Sequence, residues 1–337
     1  MKILMAMSGG VDSAAAAMLL SGEDHTVVGC TMRLAGTERE DREILRAQAS
    51  AASLGIEHRV LDLRREFEDA VIAPFAAAYR EGKTPNPCIF CNAAIKFGAF
   101  FDYAMQKGFD RIATGHYARI EGGRLLKAQD AAKDQSYVLY RLTQAVLDKT
   151  LFPLGNLQKA EARAIAEGAG LASARAEESQ DICFVPDGDY AAFLARRGGT
   201  VAPHGHYIDR DGRILGEHRG ITHYTLGQHK GLGIALGRVR YVTHIDPVAN
   251  TVTLGDEEEL YTREATLADL HLIAGRADAP FTAAVKLRYR QREVACTVYP
   301  ADCGARIVFK EPQRAPTPGQ SAVLYDGDTV LGGGYIL

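Results

Sequence analysis

Apolar and polar positions follow two different textures along the chain. In the first half, short apolar runs alternate with helical periods. They predict strands over residues 2–7, 26–32, 57–61 and 111–114. Helices are predicted over 12–20, 38–54, 65–79, 92–107, 159–169 and 190–196. Such alternation calls for a parallel sheet with helices on both faces, and ligands then sit at the carboxyl ends of the strands, where Ser8, Met32, Gly115 and His116 fall. After Gly198 the texture changes to short β-branched or aromatic runs separated by turns such as Asp211-Gly212 and Asp326-Gly327. With a break near 257–259, this gives an α/β domain over 1–197, a small β-rich module over 198–259 and a β-barrel over 260–337. Gly332-Gly333-Gly334 reads as a bulge or tight barrel corner.

Composition narrows the class. With 337 residues, 47% of them hydrophobic, the chain can build two or three cores. A formal net charge of −3 supplies no global field for a polyanion, so any nucleic-acid contact must come from local Lys and Arg clusters. No apolar stretch approaches twenty residues, which leads to the expectation of a soluble, cytoplasmic protein without a membrane partner. Six unevenly spaced cysteines argue against a disulfide framework. Cys30, Cys296 and Cys303 lie in apolar runs and read as core residues, and the histidines at 204, 206, 218, 223 and 229 fit no metal template.

The chemistry concentrates in three segments. Ser8-Gly9-Gly10-Val11-Asp12-Ser13 turns a strand through two glycines into a helix start, a backbone cradle for phosphate. It resembles the pyrophosphate loop of ATP pyrophosphatases, which implies substrate adenylation, with Asp12 placed to hold Mg²⁺. Thr84-Pro85-Asn86-Pro87-Cys88-Ile89-Phe90-Cys91-Asn92 reads as a stiff loop with Asn92 capping the next helix. Cys91 then precedes a helix N-terminus, with Lys96 one turn on, a setting that favours thiolate. Glu178-Ser179-Gln180-Asp181-Ile182-Cys183-Phe184 places a further cysteine among polar neighbours.

Taken in order with Ala113-Thr114-Gly115-His116-Tyr117, Lys133-Asp134-Gln135-Ser136-Tyr137, Tyr224-Thr225-Leu226-Gly227-Gln228 and Pro318-Gly319-Gln320, these segments resemble the tRNA-specific 2-thiouridylases along the whole chain. The resemblance implies an adenine nucleotide alpha hydrolase-like first domain and a sulfurtransferase that adenylates the C2 oxygen of the wobble uridine and replaces it with sulfur. It implies an ATP site at Ala6, Met7, Ser8, Gly9, Gly10, Val11, Asp12, Ser13, Met32 and Gly115. Contacts to tRNA are implied at Asn86, Pro87, His116, Lys133, Asp134, Gln135, Arg288, Tyr289 and Gln320. In the family pattern Cys183 takes a persulfide from a cysteine desulfurase or sulfur-relay protein, and Cys91 acts as nucleophile or as the resolving thiol that releases the sulfur as a disulfide forms.

One departure leaves the sulfur route open. Many family members carry Asp where this chain has Cys88, and a thiol does not replace a carboxylate in acid–base work. Cys88, Cys91 and Cys183 would instead suffice as ligands of a four-iron four-sulfur cluster, so persulfide and cluster routes both stand. Another departure is the short stretch between Met32 and Arg42. A rival class, a ligase adenylating a small metabolite, shares the pyrophosphate loop but would carry a glutaminase domain or an N-terminal catalytic cysteine. Independently, Lys286-Leu287-Arg288-Tyr289-Arg290-Gln291-Arg292 predicts a strand whose basic residues line one face as a phosphate rail, with Leu287 and Tyr289 inward.

Overall fold

The computed structural model describes residues 1–175, 182–185, 188–197 and 203–337. The Ser179-Gln180-Asp181 part of the motif before Cys183 lies outside the described residues. Two compact units emerge. The first comprises Met1–Ile72, Cys88–Gln180 and Tyr325–Leu331, and the second comprises Ala73–Pro87, Asp181–Leu324 and Gly332–Leu337.

The first unit is built on a five-stranded parallel sheet. Lys2–Ala6 lies at the centre, Thr26–Arg33 and Glu57–Asp62 lie to one side, and Arg111–Ala113 and Thr150–Leu151 to the other. The last of these edge strands is too short for sequence periodicity to show. Both faces are covered. Helix Val11–Ser21 is buried at Ala14, Ala15, Ala16 and Ala17, and Ala162 and Ala166 of helix Lys159–Gly168 belong to the same core as Ile3, Met5 and Met7. Small side chains let these backbones approach closely, and each methyl group deleted or added there would be felt.

Three local corrections matter for the site. The helix expected over 92–107 begins at Pro87 and runs to Gln106, with wide π-type turns over Cys91–Ala99. Proline suits a first helical position because its missing N–H has no partner there anyway. Asn92 is therefore no cap; its buried amide donates to the Val138 carbonyl at 3.2 Å. This helix has 20 residues, and an 18-residue window of it has a mean hydropathy of 1.2, enough in length and composition for a membrane span, contrary to the expectation of no such stretch. It carries Lys96 and Asp102, and Ile95, Phe97, Phe100 and Ala104 are buried within the unit. The helix expected over 65–79 is also interrupted by a π-type segment, Glu68–Ile72.

The second unit carries most of the β modules, with Tyr325–Leu331 of the last hairpin counted in the first. Its four-stranded sheet runs in the order Tyr241–Asp246, Thr251–Gly255, Gly205–Ile208, Ile214–His218 around Tyr207, Tyr224, Val242, Val252 and Leu254. His218 is buried against Tyr207 and Tyr224, and it accepts from the Gly220 N–H at 3.0 Å. That is a hydrogen-bonded core histidine. Six strands then close a barrel: Tyr261–Leu272, Gly304–Arg314, Val294–Ala301, Phe281–Lys286, Ser321–Asp326 and Thr329–Ile336, the last pairing back onto the first. Gly332 adopts φ 147° and leaves no room for a Cβ beside the His271 carbonyl, so the glycine run is a tight barrel corner as expected. Cys30 and Cys296 are buried; Cys303 is exposed, which corrects its reading as core.

The phosphate rail does not form. The strand ends at Lys286 and the chain turns over 287–293, so period-2 alternation is lost. Lys286 sits 3.8 Å from Glu293. Tyr289 points out rather than in, being 39% exposed. Arg288 is a clamp: one guanidinium nitrogen donates to the Leu226 carbonyl (3.3 Å), the Ala315 carbonyl (3.2 Å) and Thr317 Oγ1 (2.6 Å). Charge-assisted bonds of this kind contribute about 1.5–3 kcal/mol. Arg288→Ala should therefore lower stability in urea unfolding by about that amount, while Arg290→Ala, an exposed change, should stay within about 0.5 kcal/mol. Equal effects of the two substitutions would refute the clamp.

Candidate active site

At the carboxyl end of the central strand the chain passes from buried Met7 to exposed Ser8 and through Gly9 and Gly10 into helix Val11–Ser21. Gly9 holds φ 75°, and a Cβ there would collide with the Glu43 backbone carbonyl, so only glycine fits. No side chain caps the helix at Gly10. Ser13 braces the turn instead, accepting from the Ser8 N–H at 3.1 Å and donating to the Gly10 carbonyl at 3.0 Å. Thr31 Oγ1 donates to the Met7 carbonyl at 2.6 Å and fixes the strand end beside half-buried Met32. Gly115 closes the cradle, since a Cβ at that position would lie 2.9 Å from the Ser13 nitrogen. The result is a glycine-walled helix N-terminus suited to a polyphosphate.

Asp12 is already engaged. Lys159 Nζ lies 2.6 and 2.7 Å from its two carboxylate oxygens, and Tyr117 OH donates to Oδ1 at 2.8 Å. Tyr117 is in turn held by Gln135, whose Oε1 accepts from the Tyr117 N–H at 2.9 Å. Asp134 accepts from the Ala128 and Ser136 N–H groups and from Ser136 Oγ. Asp134 and Gln135, both half-buried, thus hold neighbouring backbone groups beside Tyr117. Lys133 is half-buried beside them. Lys159 and Tyr117 were not assigned roles from sequence; a partner 147 residues from Asp12 leaves no local pattern.

The thiol region of the same unit gathers Cys88, Cys91, Lys96 and His116. Cys88 is exposed and Cys91 half-buried, although protein crowds both from most sides. Burial pushes the Cys91 thiol up to about 11 and raises Cys88 as well, while Lys96 pulls each partly back. The thiolate-favouring setting expected from a preceding helix start is therefore overturned: Cys91 lies inside the helix and rests protonated. His116 is buried rather than facing solvent, stacked among Phe97 and Phe152. Burial, aided by Lys96, holds it well below the usual histidine range, so its ring is neutral. Lys96 Nζ is 3.4 Å from Nε2 and Thr114 Oγ1 is 2.7 Å from Nδ1.

The second unit holds the other expected residues. Cys183 is exposed in a turn closed by the Val185 N–H to the Ile182 carbonyl at 2.9 Å. Buried Phe184 anchors that turn, with ring centroids 5.4 Å from Phe75 and 5.3 Å from Phe193. Asn86 and Pro87 belong to this unit, as do Arg288, Tyr289 and half-buried Gln320. Cys91 and Cys183 thus fall in different units. Among the described residues no three Cys, His, Asp or Glu side chains are gathered as metal ligands, so the cluster expected on Cys88, Cys91 and Cys183 is not found there. No cysteine is in a disulfide.

Sheet, glycine cradle and thiols together define an ATP-using enzyme of the α/β type with sulfur chemistry. Family models agree: residues 1–187 match the tRNA methyl transferase HUP domain, 191–256 the tRNA methyl transferase PRC-barrel domain and 262–336 the aminomethyltransferase beta-barrel domain. A tRNA-specific 2-thiouridylase MnmA from Acetivibrio thermocellus is 44% identical across 99% of both chains. Another, from Desulforudis audaxviator, is 45% identical across 99% of this chain and 98% of that one. Among solved structures, the U34-tRNA thiolase NcsA from Methanococcus maripaludis is 18% identical with a TM-score of 0.38, covering 58% of this chain and 67% of that one. This chain belongs to the tRNA-specific 2-thiouridylase family. Membership decides against a ligase for a small metabolite.

Lys159 neutralises Asp12 where phosphates would enter. Lys159→Met should weaken ATP binding by about tenfold in calorimetric titration, because an uncompensated carboxylate then faces the triphosphate; unchanged affinity would remove the role. For Cys91, a folded-state value raised above that of the unfolded chain means stability present below the ordinary thiol range of about 8.5 and lost as pH rises toward about 11. Iodoacetamide labelling of Cys91, followed by peptide mass spectrometry, should keep accelerating about tenfold per pH unit from 7 to 10. A plateau near pH 8.5 would contradict the burial argument.

Proposed function

We propose that this protein is a tRNA-uridine 2-sulfurtransferase that uses ATP to convert the C2 carbonyl of wobble uridine 34 into a thiocarbonyl. The observation that carries the reading is the glycine cradle, a site for ATP, in a chain that also keeps Cys91 and Cys183 and matches a family relative over 99% of both chains. The cradle residues Ala6 to Ser13, with Met32 and Gly115, would bind the nucleotide, and Asp12 would hold Mg²⁺ once Lys159 turns to the phosphates. Attack of the C2 oxygen on the α-phosphate expels pyrophosphate and makes AMP the leaving group. Sulfur then comes from a persulfide on Cys183, loaded by a cysteine desulfurase or relay protein. Its terminal sulfur attacks C2, AMP departs, and Cys91 takes the Cys183 Sγ, leaving the thiocarbonyl and a Cys91–Cys183 disulfide for an external thiol to reduce.

Burial of Cys91 supports a role reserved for the assembled complex, since a protonated thiol does not react early. Asn86, Pro87, Lys133, Arg288, Tyr289 and Gln320 are the tRNA-side residues, Arg288 through the loops it clamps. We assign nucleotide chemistry to 1–197, a linking role to 198–259 and RNA docking to 260–337, with the cytoplasm as the site of action.

Cys91→Ser and Cys183→Ser should each abolish 2-thiouridine formation, read by nucleoside mass spectrometry, with ATP affinity unchanged. Thiolation surviving in either variant would defeat the two-thiol route.

A further inference from the structure

Strand Thr26–Arg33 passes to helix Glu38–Ser53 through residues 34–37, and one side chain holds that connection. The half-buried Glu40 carboxylate accepts from three successive backbone N–H groups, those of Leu34 at 2.5 Å, Ala35 at 3.2 Å and Gly36 at 2.6 Å. Successive N–H groups turned to one point form a concavity for an anion, and here the protein fills it with its own carboxylate. Two further contacts pin the stretch. Arg33 lies 2.8 Å from Asp41, and Gly36 holds φ 66° against the Arg64 side chain, a turn that favours glycine. Thr37 caps the helix separately, its hydroxyl accepting from the Glu40 N–H at 3.2 Å.

The connection lies beside the glycine cradle. Strands Lys2–Ala6 and Thr26–Arg33 run parallel, and the Met7 N–H donates to the Cys30 carbonyl where the first of them ends. One turn after Glu40, the Glu43 backbone carbonyl walls Gly9. Asp12 and its partner Tyr117 stand on the opposite side of the cradle, toward strand Arg111–Ala113. Phosphates drawn to the Asp12 and Lys159 side leave the nucleoside to run the other way, across the end of the neighbouring strand at Met32, and residues 34–36 follow directly. We propose, on the reading of the cradle as the ATP site, that Glu40 is a positioning residue for the nucleoside half of ATP, holding residues 34–36 as a preformed rim. Its charge is engaged by the three N–H groups, so it acts through the backbone it fixes. Releasing the rim moves the cost of ordering it into the binding step, which weakens ligands that use the rim and spares those that do not.

The test titrates ATP and inorganic tripolyphosphate by calorimetry into the wild-type chain, Glu40→Ala, Glu40→Gln and Thr37→Ala. Glu40→Ala should weaken ATP about tenfold and leave tripolyphosphate within about twofold. Glu40→Gln keeps one acceptor oxygen and should fall between. Thr37→Ala removes the helix cap but not the carboxylate, so it should lower the melting temperature with ATP affinity unchanged. In turnover, Glu40→Ala should raise KM for ATP with kcat within about twofold. Unchanged ATP affinity in Glu40→Ala, an equal loss for tripolyphosphate, or an equal loss in Thr37→Ala would each overturn the rim. A wild-type chain that binds no ATP would overturn the cradle reading and the rim with it. One that binds ATP but makes no 2-thiouridine would overturn the sulfurtransferase reading alone, and the titrations would still decide on Glu40.

Discussion

Backbone meeting backbone with no side chain between is the constraint on which the nucleotide end depends. Gly9 abuts the Glu43 carbonyl and Gly115 abuts the first turn of helix Val11–Ser21. The alanines of that helix share a core with Ala162 and Ala166. Close approach gives the cradle its depth, and it also brings Lys159, the first residue of its helix, within reach of Asp12. The same small residues that build the core therefore place the charge pair. A bulkier helix face would hold the two helices apart and leave Asp12 without its counter-charge.

Charge at the thiol region is governed by burial. Lys96 pulls on both thiols, yet desolvation outweighs it, and Cys91 at about 11 is only about one part in ten thousand thiolate at pH 7. Nearby His116 is neutral for the same reason. A thiol so placed stays protonated and slow toward oxidants until proton loss is assisted. The neutral ring 3.4 Å from Lys96 offers an acceptor that a charged imidazolium could not.

Local backbone chemistry was legible in the sequence, and long-range pairing was not. Gly9-Gly10 announced the cradle, and alternating periods announced the parallel sheet and the change to β structure. Pro87 misled because two prolines suggested a loop as far as Asn92, although proline also opens helices. The charges from Lys286 to Arg292 imitate a strand face, but their period carries no information about carbonyls at Leu226 and Ala315 that bend the chain around Arg288. Lys159 and Gln320 meet partners 147 and 236 residues away, and no spacing rule reaches that far.

The Cys183 turn and the segment that ends at Pro87 share one scaffold within the second unit. Helix Ala73–Arg80 presents Phe75 and Tyr79 to the aromatic cluster of Phe184 and Tyr190, which roots the Cys183 turn. Four residues after it ends, the same chain reaches Thr84, whose carbonyl, N–H and hydroxyl are held by Gln320, Pro318 and Thr225. Aromatic packing tolerates small rotations, whereas three hydrogen bonds on one residue do not. The helix is thus fixed hard at its Thr84 end and more softly at its Phe75 end.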